Sequence, residues 1–246
     1  MSRLLSGKWI IPCVGGLLLA TAMAACGGDG EPDLTARPIS DADLGTMALY
    51  EVDLPQDFAG FVRTTESGFK MNEQSVERHF DPADEANDLE LFGQVREYIR
   101  AYGPPPVGGQ IPQGEAISFV SSARLFEDPS GASDYLEDEL ADIEGSVGKD
   151  MGGATIEEVE RFKVGGIADE AAGVRTTLVL PDDGSERPAY GTQVFFRRGR
   201  LLLTIAVVRT DDEDVSAELE ALARSLDERI QVVLETTLIA SPTVTE

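Results

Sequence analysis

Apolar residues recur at three- and four-residue spacing in two stretches of the chain. After Asp128-Pro129-Ser130, Ala132, Tyr135, Leu136, Leu140 and Ile143 share one stripe, which predicts an amphipathic helix. A second helix is predicted from about Asp214-Val215-Ser216, with Leu219, Leu222, Ala223, Leu226, Ile230 and Val233 on one face and acidic residues at its start, where the helix dipole favours them. A shorter helix is expected over Pro82 to Phe92, closed by Gly93.

Between these stretches the period shortens to two. Val95 to Tyr102 places Val95, Ile99 and Ala101 on one side and Arg96, Tyr98, Arg100 and Tyr102 on the other. Ala116 to Phe126 reads as a long strand, and Ile156–Val164 and Val174–Leu180 as further ones. Two β-rich runs, within Thr192 to Val208, flank Arg198-Gly199, which predicts a tight hairpin with glycine where a positive φ is needed. This order of elements favours an α+β fold, an antiparallel β-sheet with flanking helices in a single layered domain. No GxGxxG or Walker pattern occurs to suggest a phosphate-binding βαβ unit.

The first 26 residues have a different pattern. Met1 to Lys8 carry Arg3 and Lys8 and no acidic residue, and Trp9 to Ala22 are largely apolar. At roughly 14 residues the apolar run is short of the roughly 20 that span a bilayer, and Pro12, Gly15 and Gly16 weaken it as a helix. It has the length of a signal-peptide core. Met23-Ala24-Ala25-Cys26 follows, which resembles the lipobox of bacterial lipoproteins, with Cys26 at the acylated position and Ala24 and Ala25 at the small ones; Met23 stands where leucine is usual. The resemblance implies cleavage before Cys26 and a lipid anchor on its sulfur. An ordinary secretory cut after Ala22-Met23-Ala24, or an uncleaved anchor helix, are the alternatives. An exported, unpaired thiol would be open to oxidation, and acylation removes that exposure.

The expected organisation is therefore residues 1–25 as signal peptide, 26–46 as a flexible tether, 47–238 as the α+β domain and 239–246 as a disordered tail. The chain of 246 residues carries 45 acidic against 20 basic residues. Loss of residues 1–25 takes two basic residues and no acidic one, so the formal charge moves from −25 to −27. Such a surface disfavours nucleic acid, whose phosphates need Lys and Arg, and should hold the domain off anionic lipid.

Three groups of residues resemble PsbP-like lipoproteins and the extracellular sensor domains of bacterial serine/threonine kinases. They are Phe126-Glu127-Asp128 with Gly131 to Leu136, then Gly166 to Ala171, then Val194 to Gly199, within about residues 115–235. The resemblance implies a non-catalytic domain acting in binding, sensing or assembly, with no catalytic residues to carry over.

The residues themselves leave little room for common catalytic schemes. His79 is the one histidine, the chain after residue 25 has no cysteine but Cys26, and no Gly-x-Ser-x-Gly elbow is present. Zinc and copper sites lack their His and Cys clusters, and neither a metal nor a cofactor is expected. Paired carboxylates could still hydrolyse a glycosidic bond, although tryptophan, common in sugar clefts, is absent after Trp9. Asp211 to Asp214 is the best oxygen-rich run for calcium, but its spacing is not that of an EF-hand, and an acidic helix start explains it as well. Arg197, Arg198 and Arg200 at the hairpin tip could contact an anion or partner. The Gly103–Gln110 proline-rich loop beside Tyr98 and Tyr102 could be a recognition surface or a plain connector. The expectation is a lipid-anchored, non-catalytic module on the outer face of the cell membrane, attached through Cys26, with an unknown protein or small-molecule ligand. A carboxylate-based hydrolase and a purely structural envelope protein are the other readings.

Overall fold

A computed structural model describes residues 34–76, 82–105, 116–150, 154–182 and 185–240. The expected signal peptide, Cys26, His79, the outer part of the proline-rich loop and residues 241–246 lie outside the described residues. In chain order the helices are α1 (Asp41–Thr46), α2 (Asn72–Val76), α3 (Pro82–Leu91), α4 (Pro129–Gly145) and α5 (Ser216–Ala240). The strands are β1 (Val62–Arg63), β2 (Gly68–Lys70), β3 (Gln94–Gly103), β4 (Ala116–Phe126), β5 (Thr155–Phe162), β6 (Glu170–Asp182), β7 (Ser185–Arg198) and β8 (Leu201–Arg209). All strand pairs are antiparallel, in the order β1-β3-β4-β8-β7-β6-β5, with β2 also on β3. This is the expected α+β fold, an eight-stranded antiparallel sheet with helices against it.

Local chemistry explains the element ends. Asp128 caps α4 by accepting from the Gly131 amide at 2.9 Å, and Pro129 fits the first turn, where no amide donor is needed. The β7–β8 hairpin turns at Gly199, whose φ of 54° suits a residue without Cβ. Helix α3 is closed by Gly93, two residues past its end, with φ of 69°.

Alternation along each strand separates two faces. On the first, Phe119, Ala123, Val194, Phe196, Leu203 and Ile205 meet Leu219, Ala223, Leu226, Ile230 and Leu234 of α5, one residue per helical turn. On the second, Phe126, Val174, Phe195 and Leu202 meet Ala132, Tyr135, Leu136 and Leu140 of α4 and Leu89 of α3. Each side of the sheet thus has its own core.

The start of the domain differs from expectation. Residues 34–46, read from the sequence as part of a flexible tether, are folded onto the sheet. Thr35, Ile39 and Leu44 are buried, and Ser40 and Asp43 form a reciprocal capping box at α1. Arg200 donates to the Thr35 carbonyl at 2.7 Å and to the Arg37 carbonyl at 2.9 Å. Order here comes from an arginine far along the chain, which no local periodicity signals. At the other end α5 extends through Ile239 and Ala240, two residues into the expected tail.

Candidate ligand groove

Helix α4 covers only part of its side of the sheet. Two adjoining cavities of about 340 and 270 Å³ open beside it, sharing Glu85, Tyr135, Glu139, Gln193 and Ala206 in their walls. The smaller runs over Ile99, Val120, Ser122, Thr204, Phe195 and Leu202. The larger continues over Thr176, Leu178 and Ile156 to the acidic edge of α4. Their combined size falls in the range of small-molecule sites.

Strand register explains the floor. Ile99 pairs with Ser122, Ser122 with Thr204 and Thr204 with Phe195, so one row across four strands offers two hydroxyls between apolar residues. In the larger cavity the floor dips at Gly191, where a Cβ would come within 2.4 Å of the Thr176 hydroxyl oxygen. That close approach requires glycine.

The walls are strongly acidic. Glu85, Asp88, Glu97, Asp138, Glu139 and Asp142 line the two cavities against Arg124 and Lys149. Arg124 of β4 donates to Glu97 at 3.0 Å and to the Tyr135 hydroxyl, and its guanidinium lies 4.9 Å from the Tyr135 ring centre. The Tyr135 hydroxyl has one proton to give; Glu139 lies at 3.1 Å and Glu85 at 3.5 Å. Burial opposes the charge on Arg124, and the carboxylates of Glu97, Glu139 and Glu85 more than offset it, holding the guanidinium above its ordinary value. Arg124 therefore stays cationic at the centre of three acids.

Three further acids form a second group at the outer edge of the larger cavity. Asp88 of α3 and Asp138 and Asp142, one turn apart on α4, bring carboxylate oxygens within 4.8 Å of one another. Burial, and then the charges of Asp142 and Glu139, push the Asp138 carboxyl up. Oxygen-only donors of this kind suit a hard cation such as calcium better than zinc.

The residues singled out by sequence lie elsewhere. Tyr98 and Tyr102 point to the α5 side and are buried in its core; Tyr102 donates to the Leu49 carbonyl at 2.9 Å and Tyr98 accepts from Arg63 at 3.1 Å. They line neither of the two cavities. At the hairpin tip Arg197 pairs with Glu170 at 2.9 Å, and Arg198 makes a two-pronged pair with buried Asp227 at 2.7 and 2.9 Å. Arg200 spends its guanidinium on the carbonyls of Thr35, Arg37 and Phe126. These arginines are internal braces rather than a free anion-contact patch. The Gly166–Ala171 turn belongs to the same brace. Ala168, at a left-handed φ of 50°, gives its amide to Asp227, and Asp169 accepts from the Gly199 amide at 2.6 Å. The Arg197 guanidinium holds the Glu170 carboxyl below its ordinary value, burial opposing it.

Two acids of the run at residues 211–214 are held by an arginine. Arg209 donates to Asp211 at 2.7 and 2.9 Å and to Glu213 at 2.8 Å. Sequence reasoning missed every residue of the groove, whose acids come from α3, β3 and α4.

Among the described residues no helix is long and apolar enough to cross a membrane. No family model matches the chain, and no curated protein matches it. Among solved structures it is similar to the extracellular domain of PknH from Mycobacterium tuberculosis, with 8% identity over 80% of this chain and 98% of that one and a TM-score of 0.49. A Pseudomonas aeruginosa protein of unknown function, described as a putative regulator, aligns with 18% identity over 53% of this chain and 81% of its own, with a TM-score of 0.28. Neither likeness says what this chain binds.

Proposed function

We propose that this chain is a lipid-anchored extracytoplasmic binding module that takes a small molecule into the groove beside α4, without chemical turnover. The groove carries the reading: two joined cavities with an apolar and hydroxyl-lined floor, on the face of the sheet that its helices leave partly open. The ionisable groups nearest the floor are committed to one another through Arg124 and Tyr135, which favours holding a ligand over shuttling protons. The address rests on Met23-Ala24-Ala25-Cys26 and the apolar run before it.

Ala206 lies in the wall of both cavities, so Ala206→Trp should block the groove without touching the α5 side. A thermal-shift screen of small molecules should give stabilising hits that this variant loses. A screen whose hits survive Ala206→Trp would refute the groove. For the address, mass spectrometry of protein from the host envelope should show a diacylglyceryl adduct on Cys26, and an unmodified thiol there would refute it.

One observation favours a second reading, a carboxylate hydrolase: Glu85 and Glu139 converge on a single phenol in the cavity wall. Under it, Glu139→Gln would abolish turnover of a glycoside or ester while leaving the fold intact. Under the binding reading there is no turnover to lose.

A further inference from the structure

The point where the chain enters the fold and the composition of α5 meet at one end of the domain. We infer that the last turns of α5, with Val52 beside them, sit against the lipid bilayer by apolar contact and turn the groove away from it. This rests on the anchor at Cys26.

The entry point is set by hydrogen bonds. The turn at Leu34–Ala36 packs on α5, and Arg37 donates to the Leu234 carbonyl at 3.2 Å and to the Val233 carbonyl at 3.4 Å. Residues 27–33 alone separate Leu34 from Cys26, so even a fully extended chain reaches at most about 28 Å. Helix α5 has 25 residues and is about 37 Å long. The tether is shorter than the helix, and it holds the Leu234 end nearest the membrane. Arg200, which grips Thr35, stands one residue before β8. Gly191 and Val208, in the wall of the larger cavity, pair at the opposite end of β7 and β8.

The composition of α5 changes at that same end. Its first 14 residues carry six charges, and residues 230–240 carry one, Glu235. Val232 is 60% exposed there, and Ile239, seven residues on, falls on the same stripe by helical period. Val52, at 91% the most exposed large apolar side chain among the described residues, is brought alongside by its neighbour Asp53. That carboxylate pairs at 2.7 Å with Arg229, one turn before Val232. The arginines of this end are both paired, Arg37 with Asp43 and Arg229 with Asp53, while Glu51 and Glu235 stand exposed. The attraction is therefore apolar rather than to anionic headgroups. A tether makes a weak contact sufficient, because binding is then intramolecular. The acidic remainder of the surface stays off lipid.

The test places a single tryptophan in the full chain: Trp9→Phe combined with either Val232→Trp or Asp212→Trp. Asp212 is exposed just before the other end of α5. Protein purified from the host envelope is placed in phosphatidylcholine vesicles with or without brominated acyl chains. Bromine should quench the Val232→Trp reporter about fivefold more than the Asp212→Trp one, as a ring at the membrane interface requires. High salt should leave that difference in place. Amide exchange of residues 229–240 in the chain without reporters should slow on vesicles, and the double variant Val52→Asp, Val232→Asp should undo the slowing. Where mass spectrometry finds Cys26 unacylated, the address falls, and coupling its thiol to a maleimide lipid lets the same comparison decide the contact. Equal quenching of the two reporters, quenching of neither, loss of the difference in high salt, or unchanged exchange would overturn the lipid contact. A blue shift of the Val232→Trp emission without bromine quenching would place a second copy of the chain there, and would overturn it as well.

Discussion

The two faces of one sheet are built from the same strands, and they are spent differently. On the α5 side the central positions are mostly apolar, from Phe119 through Ala123, Leu203 and Ile205 to Val194 and Phe196, with Ser121 accepting from the Leu49 amide, and α5 and the segment around Leu44, Met47 and Phe58 close over them. On the α4 side Ser122, Arg124, Thr204 and Gln193 stand among the apolar Val120, Phe195 and Leu202. The alternation that dries one face leaves the other polar, charged and partly open. Stability is concentrated on the first face, and the cavities open on the second.

Leu226, fully buried under α5, should show the largest effect. Leu226→Ala should cost about 3 to 5 kcal/mol in denaturant unfolding, with groove binding unchanged wherever the variant is folded. Arg124→Met comes next. It strands the acids around it, and with about a fifth of the Arg124 side chain meeting solvent the loss should be about 2 to 3 kcal/mol. That loss should shrink as pH falls through the carboxylate range, because protonation removes the uncompensated charge. A pH series of unfolding midpoints checks it.

Asp138→Asn should act in the opposite direction. A carboxyl raised in the folded state binds its proton more tightly there than in the unfolded chain, so its ionisation costs stability at neutral pH. The substitution should stabilise by no more than about 0.5 kcal/mol at pH 7. The gain should vanish as pH falls through the acid range, where wild-type Asp138 is protonated too. A gain that persisted at low pH would contradict the cause given for the shift. Ser122→Ala should be smallest, within about 0.5 kcal/mol of wild type, since the side chain lines the open cavity. A large loss there would mean that the hydroxyl supports the fold rather than a ligand.

Regular structure was far more legible than the site. Strand β4 runs over the span expected of it, Ala116–Phe126, because eleven residues with a mostly apolar face leave few alternatives. Helices α4 and α5 and the Arg198-Gly199 hairpin follow from periodicity, a cap and a positive-φ glycine. The hairpin arginines looked available to an anion or partner because their own partners, Asp227, Glu170 and the Thr35 carbonyl, are distant in sequence. Residues 34–46 looked like a tether for the same reason. Ser122 and Thr204 read as ordinary polar positions of half-buried strands. Only the gap that α4 leaves above them turns them into a floor, and a gap between elements has no sequence pattern.

The isoleucines sample both faces and allow the most direct test. Ile99, Ile143 and Ile156 line the groove, while Ile39, Ile205 and Ile230 lie in the α5-side core. In methyl NMR of the isoleucine-labelled chain, titration with a thermal-shift hit that Ala206→Trp loses should move the first three resonances and leave the second three in place. Shifts confined to the α5-side methyls, or no shift in any, would contradict the assignment of recognition to the α4 face.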